Sequence, residues 1–299
     1  MKDPQSLFAE LAVPRAVGSS NQAAVRAVLR RELEARGFIV MEHRFLARAS
    51  VWLRGTTPTE AVNLIAVRPR TRVTLWLTAH YDSKQQPLSM LGRLVLGGLV
   101  LIQVVNAILS SVIGHANGGT IAWVHWAVTG VLGVAFLALN RVGDGSPGAV
   151  DNATGLLTVL TTIDALPATL AAGVMFFDAE EWGLVGARAL ARERSQLLAD
   201  TVVVNIDSID DRGAPTVLVH RGGPNTDRVA TALGSKRWRG LPVFVDGRAL
   251  AHTARECCTI MRGDWRTMGI IHRPADGPNR LSLAGVREVS QRLAGALTS

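Results

Sequence analysis

Cysteine is almost missing from this chain: its 299 residues hold two, Cys257 and Cys258, side by side. Adjacent thiols cannot clip distant segments together and would be strained as a disulfide, which excludes a disulfide-stapled scaffold and fits a reducing compartment. Tyrosine is rarer still, with Tyr81 alone. Charge vanishes altogether between Leu94 and Asn140, where no Asp, Glu, Lys or Arg occurs. Met1 to Val28 has no continuous apolar stretch of the signal-peptide kind and is broken by Asp3, Pro4, Glu10 and Pro14, so nothing in it is expected to export the chain. Internal repeats and low-complexity tracts are also lacking.

The composition that remains, 48% hydrophobic and 19% charged, suffices for a large core and excludes intrinsic disorder. A net charge of +8 suits nucleic acid or an anionic membrane surface, and composition does not choose between them. Position does. The charge-free region supplies Leu94–Ile113 and Ile121–Leu139, each long enough as a helix to cross a hydrocarbon core of roughly 30 Å, joined by a polar turn at His115–Thr120. Two consecutive uncharged helices with a short turn predict a transmembrane hairpin rather than a pair of core helices, with a lipid bilayer as partner. Lys84 and Arg93 precede the first helix, Arg141 follows the second, and the turn carries no Lys or Arg, so the positive-inside rule places both ends, and the body of the protein, on the cytoplasmic side of the cell (inner) membrane. Trp123 and Trp126 suit the opposite interface. Gln103, Asn106 and Ser110 share a helical face and point to the second helix or to another subunit, which leaves a homo-oligomer through the hairpin open. The Lys236–Arg239 cluster reads as a solvated loop or a contact with anionic lipid, and no nucleic-acid partner is expected.

Residues 1–87 and 141–299 read as one domain interrupted by the insertion at 88–140. Ser19 to Gln22 matches a capping box ahead of the stripe Val25, Val28, Leu29 and Leu33, with Gly37 at the stop. Strand-like runs occupy 38–40, 62–67, 73–79, 173–177 and 201–205, and helical patterns occupy 154–166, 184–199 and 225–234. This alternation predicts an α/β fold whose sheet is covered on both faces, with its site at the carboxyl ends of strands.

Acidic and imidazole groups collect at those ends. His80 and Asp82 close one strand two residues apart, on the same side. Asp178-Ala-Glu180-Glu181 closes another, Asn205-Ile-Asp207 a third, and Asp151-Asn152-Ala-Thr-Gly155 opens a helix between them. Each alone is weak, since strand-end aspartates are often caps and paired glutamates are usually solvated. As an ordered set, His80-x-Asp82, Asp151-Asn152-Ala-Thr-Gly155, Glu180-Glu181-x-Gly183-Leu184-x-Gly186, Asn205-x-Asp207 and His272-x-Pro274-x-Asp276 resemble the M28 family of zinc aminopeptidases. Arg15 with Gly18-Ser19 resembles that family's opening segment, and Gly263-Asp264 its Ser-Asp block.

The resemblance implies a mixed central β-sheet flanked by helices and two zinc ions per chain. It implies that Asp151 bridges them, that His80 and Asp207 complete one metal position, that Glu181 and His272 complete the other, and that Asp82 orients His80. Glu180 then acts as general base toward a metal-activated water, and the substrate is a peptide with a free N-terminus. Where relatives read His-Thr-Pro, this chain has His272-Arg273-Pro274, which adds charge beside the metals. The sole tyrosine lies in the first motif, so no side chain is assigned to the oxyanion. Rival expectations are a glutaminyl-cyclase-like aminoacyl transferase using one zinc, and a non-catalytic membrane scaffold on a decayed peptidase domain. His43, His220 and His252, outside the motifs, are expected to be ordinary surface or core histidines, and the two cysteines ordinary buried thiols.

Overall fold

A computed structural model of the chain describes residues 3–50, 53, 55–117, 119–241 and 243–298. Helix α1 (Pro4–Leu11) starts under the Asp3 carboxylate, and α2 (Ser20–Ala35) starts under the Ser19 hydroxyl, which accepts from the Gln22 amide at 3.2 Å. The reciprocal arm of the expected capping box goes instead to Gly18, whose N–H donates to Gln22 Oε1 at 2.7 Å. Gly37, with φ of 79°, turns the chain out of the helix, a left-handed geometry that glycine adopts without a Cβ penalty. Strands β1 (Ile39–Ala47), β2 (Thr59–Val67) and β3 (Leu75–His80) follow. Two long helices, α3 (Met90–Asn117) and α4 (Thr120–Leu139), come next, then α5 (Thr154–Ala165), β4 (Ala172–Phe177), α6 (Val185–Glu193), β5 (Val202–Ile209) and β6 (Ala214–Arg221). The chain ends through α7 (Pro224–Ala232), β7 (Arg237–Trp238), α8 (Asp246–Leu250), β8 (Glu256–Gly263), α9 (Trp265–Ile270) and α10 (Ala284–Thr298).

Among the described residues the strands form one mixed sheet of eight, ordered β1-β2-β4-β3-β5-β8-β6-β7. Its centre, β4-β3-β5-β8, is parallel, while β1, β2 and β6 pair antiparallel toward the edges. Every residue of β3, β4 and β5 is buried, which explains why these segments read as continuous apolar runs: both faces of a central parallel sheet are covered. Phe8, Leu29, Leu160 and Val289 of α1, α2, α5 and α10 pack one face. On the other, Trp76, Met175 and Phe177 meet Leu190 and Leu250 of α6 and α8. Parallel central strands bring the carboxyl ends of β3, β4 and β5 to one rim.

Helices α3 and α4 leave the body between β3 and α5, and their bases meet at an antiparallel bridge in which Gln85 N donates to Gly143 O at 2.8 Å and Gly143 N to Gln85 O at 2.9 Å. Both are long and apolar enough to cross a membrane, at Met90–Gly114 and Thr120–Leu139, with mean hydropathies of 2.1 and 1.8. They pack on one another. Gln103 Oε1 lies 3.1 Å from His125 Nδ1, and Trp126 Nε1 donates to Ser111 Oγ at 3.0 Å, so Gln103, one of the three polar residues on the α3 face, turns to the second helix. The expected turn at His115–Thr120 includes Gly118, which lies outside the described residues. Arg93 does not precede α3 as expected; it sits in the first turn, because the helix begins at Met90.

Candidate active site

The rim of the central strands carries the acids and imidazoles. β3 ends at His80, with Asp82 just beyond it. After β4 the backbone turns through Ala179, at φ of 54°, and aims Glu180 and Glu181 inward, while past Asp207 it turns through Ser208 at φ of 59°. His272 itself has φ of 63°. Left-handed backbone at non-glycine residues costs about 1–3 kcal/mol each and is held by its surroundings. Asp151 lies in an irregular turn at Ala149–Ala153 ahead of α5. Its neighbour Asn152 ties this turn to β5, donating to Ile206 O at 2.9 Å and accepting from Ser208 N at 3.1 Å. A Cβ on Gly155 would collide with that Asn152 amide, a physical reason for the glycine of the motif. Asp276 closes the turn from outside, accepting from Val150 N at 2.9 Å and Asp151 N at 3.2 Å.

The two carboxylate oxygens of Asp151 face different histidines. Oδ1 lies 3.2 Å from His80 Nε2, and Oδ2 lies 3.1 Å from His272 Nε2. Asp207 Oδ1 stands 3.8 Å from the same His80 nitrogen, and Glu181 Oε1 3.1 Å from the same His272 nitrogen. His80, Asp151 and Asp207 thus form one buried group able to hold a cation, and Asp151, Glu181 and His272 another, each with its donor atoms within 4.8 Å of one another. One imidazole and two carboxylates per group is a donor set that suits zinc. Glu181 Oε1 is buried without a hydrogen bond of acceptable geometry, as expected of an oxygen reserved for a metal.

Electrostatics point the same way. Burial opposes charge on His80, but Glu180, Asp151 and Asp207 outweigh it and hold the imidazolium well above its usual range: the acids demand a cation here. Burial pushes the Glu180 carboxyl well above the ordinary value; His80 pulls against this, and Asp246, Glu181 and Asp207 add to it. Glu181 goes the other way, to about 2, because His272 and Lys84 overcome its burial. Asp276 is pushed up to about 6 by burial.

Asp82 is fully buried, and it does more than face His80. Its carboxylate accepts from Glu180 N at 3.1 Å and Glu181 N at 3.0 Å, while His80 Nδ1 lies 3.2 Å from the Asp82 carbonyl and 3.5 Å from Oδ1. Tyr81 points away from the rim, donating to Val62 O at 2.7 Å and to Asp178 at 2.9 Å. Arg15, fully buried, donates to the carbonyls of Val13, Tyr81, Pro147 and Gly148 and so stitches the loops that carry Asp82 and Asp151. Arg273 does not reach the ligands; its guanidinium bonds to the backbone oxygens of Gln86 and Pro87. Asp264 caps α9.

Three residues of the site were not legible as such. Asp246, at the start of α8, is fully buried with neither carboxylate oxygen partnered, and its neighbours His80, Asp207, Asp82 and Glu181 are all site residues. No motif spacing marks it. Lys84 and Arg93, read from sequence only as topology signals, touch Glu181 and His272. His43 is buried between Glu193 and Asn63, His220 bonds Thr259, and His252 is exposed, so none joins the ligands. Cys257 and Cys258 are buried free thiols; burial pushes Cys258 up to about 12.

The model of Peptidase family M28 matches residues 63–238. A Zn-dependent exopeptidase from Parabacteroides distasonis superposes with a TM-score of 0.66 at 15% identity over 99% of this chain and 97% of that one. A glutaminyl cyclase from Porphyromonas gingivalis gives 0.66 at 15% over 99% and 98%, and a zinc aminopeptidase from Bacillus subtilis 0.63 at 12% over 98% and 93%. At these identities the likeness is one of fold. No curated protein matches the chain.

Proposed function

The chain belongs to peptidase family M28, and from that premise we propose that it is a membrane-anchored metallo-aminopeptidase that hydrolyses the N-terminal residue from peptides. The observation that carries this reading is Asp151, whose two oxygens each face a different imidazole, in a site that also holds Glu180. His80 and Asp207 would hold one zinc ion, Glu181 and His272 the other, and Asp151 would serve both. When bound, zinc supplies Lewis acidity toward the scissile carbonyl and a water of lowered pKa. Glu180 accepts the proton of the attacking water and delivers it to the leaving amine. Asp82 fixes the Glu180–Glu181 backbone and the His80 ring, which keeps base and ligands in register.

Anchoring rests on the hairpin surface. Trp123, Val112 and Val131 are 77%, 70% and 69% exposed on helices with hardly a buried residue, an apolar surface that water disfavours and lipid covers. On this reading the hairpin at 88–140 is the anchor and the body lies on the cytoplasmic side.

One observation favours a second reading: glutaminyl cyclases cover this chain as fully as the exopeptidases do. Detergent-purified protein, assayed for zinc and incubated with peptides bearing N-terminal Leu, Ala or Gln, separates the two. Zinc-dependent release of free amino acids is expected, and Glu180→Gln should keep its zinc while losing turnover by about 10²–10⁴-fold. Ammonia from the Gln peptide without amino-acid release would establish the cyclase instead. Two bound zinc ions without turnover of any peptide would leave a scaffold, and full-length protein monodisperse without detergent would overturn the anchor.

A further inference from the structure

The root of the hairpin reaches into one metal position and leaves the other alone. Lys84 Nζ lies 2.7 Å from Glu181 Oε2 and 3.3 Å from the Glu181 carbonyl, in a side chain only 10% exposed. Arg93, in the first turn of α3, brings Nη2 to 2.5 Å from His272 Nδ1. The backbone follows the same path: Gln86 N donates to His272 O at 2.9 Å, and Arg273 bonds back to the carbonyls of Gln86 and Pro87. Among the described residues His80 has no such neighbour. Its Nδ1 faces the Asp82 carbonyl, an acceptor.

That difference decides which tautomer each ring adopts. An imidazole that gives Nε2 to a metal carries its hydrogen on Nδ1 and needs an acceptor there. His80 has that arrangement. His272 has the opposite one, because a guanidinium is donor only and makes Nδ1 the acceptor. The ring hydrogen is then on Nε2, the atom that faces Asp151 and Glu181. Lys84 meanwhile neutralises Glu181. Both cations also repel an incoming divalent ion.

We propose that Lys84 and Arg93 are positioning residues that make Asp151–Glu181–His272 the weaker of the two metal positions, so that filling it requires the hairpin root to turn both side chains away from the ligands. The proposal rests on the two-zinc reading above and goes beyond it by tying the second ion to the inserted helix. The test is a calorimetric titration of zinc into metal-stripped, full-length protein in detergent. Wild type should bind a first ion at least about 100-fold more tightly than a second, with His80→Ala removing the tight step. Arg93→Gln, whose amide oxygen can accept from Nδ1–H, should tighten the second step by about 10–100-fold, the scale of outer-shell effects on metal affinity, and leave the first unchanged. Lys84→Met should act in the same direction, and Arg93→Lys, which keeps a cationic donor, should preserve the gap. A second step unchanged or weakened in Lys84→Met, and in Arg93→Gln where it folds, overturns the proposal while the two-zinc reading stands. Two equal steps in wild type do the same. Failure of wild type to bind zinc at all overturns both.

Discussion

His80 and Asp207 are carried by β3 and β5, parallel neighbours hydrogen-bonded along Leu75–Thr78 and Val202–Asn205, so their separation is set by the sheet. Glu181 and His272 come from a turn and from just past the end of α9, and the hairpin root reaches both: Lys84 on one, whose backbone Asp82 also holds, and Gln86 and Arg93 on the other. One half of the site is therefore rigid and lined with acceptors, and the other is tethered and lined with donors. A shared ligand set does not make two positions equivalent. The scaffold behind each one decides what its ligands are ready to bind.

The largest test of this contrast removes what the halves share. Asp151→Asn should weaken zinc at both positions by about 100-fold or more, because the carboxylate that offsets the repulsion between two dications is lost, and turnover should disappear with it. Loss at only one position, by metal analysis, would show that the halves are independent. A smaller effect comes from Asp82→Asn, which loosens the acceptor side: zinc at the His80 position should weaken by about 10–100-fold. Because Asp82 also holds the backbone of Glu180 and Glu181, turnover should fall by more than the lost zinc explains, and recovery of full rate at saturating zinc would contradict that second duty. The smallest effect tests a histidine outside both halves. Burial, with Arg248 nearby, lowers His220 from 6.5 to about 4, so the folded protein takes up this proton less readily than the unfolded chain. The stability it contributes is present at neutral pH and is lost as pH falls from 6.5 through about 4. His220→Gln should flatten that loss, seen as a urea midpoint that drops less between pH 7 and pH 5 by a few tenths of a molar; an unchanged drop would place the titration elsewhere.

How far the sequence could be read follows the same division. The central strands announce themselves as apolar runs because both faces are buried, and the ligands at their ends carry the motif spacing. Strand β6, next to the edge, and strand β8, with Glu256, Arg262 and Gly263 at its ends, lack that uniformity and do not read as strands; α1, α9 and α10 likewise leave no clear pattern. Lys84 and Arg93 show a different failure. A cation before an apolar helix reads as a topology signal, and nothing local says that it folds back onto a carboxylate or an imidazole far away in the chain. Asp246 belongs to the same class: only the packing of α8 beneath the rim brings it to His80 and Asp207. The resemblance gives Asp82 to the His80 ring, two residues away on the same side of the strand, yet its closer partners are amides from the turn after β4, which period-two reasoning does not reach.

The order of strands also sets an order in time. β3 lies between β4 and β5, both of which are made after α3 and α4, whereas β1 and β2 pair with each other as soon as they exist. On a ribosome adding about 5–20 residues per second, the strand that ends in His80 waits on the order of ten seconds for its first neighbour. The hairpin is complete before the sheet can close, and the Gln85–Gly143 bridge presents its two arms to the growing body side by side. The acids and imidazoles arrive in sequence as their strands do, and His272 is the last of them to leave the ribosome.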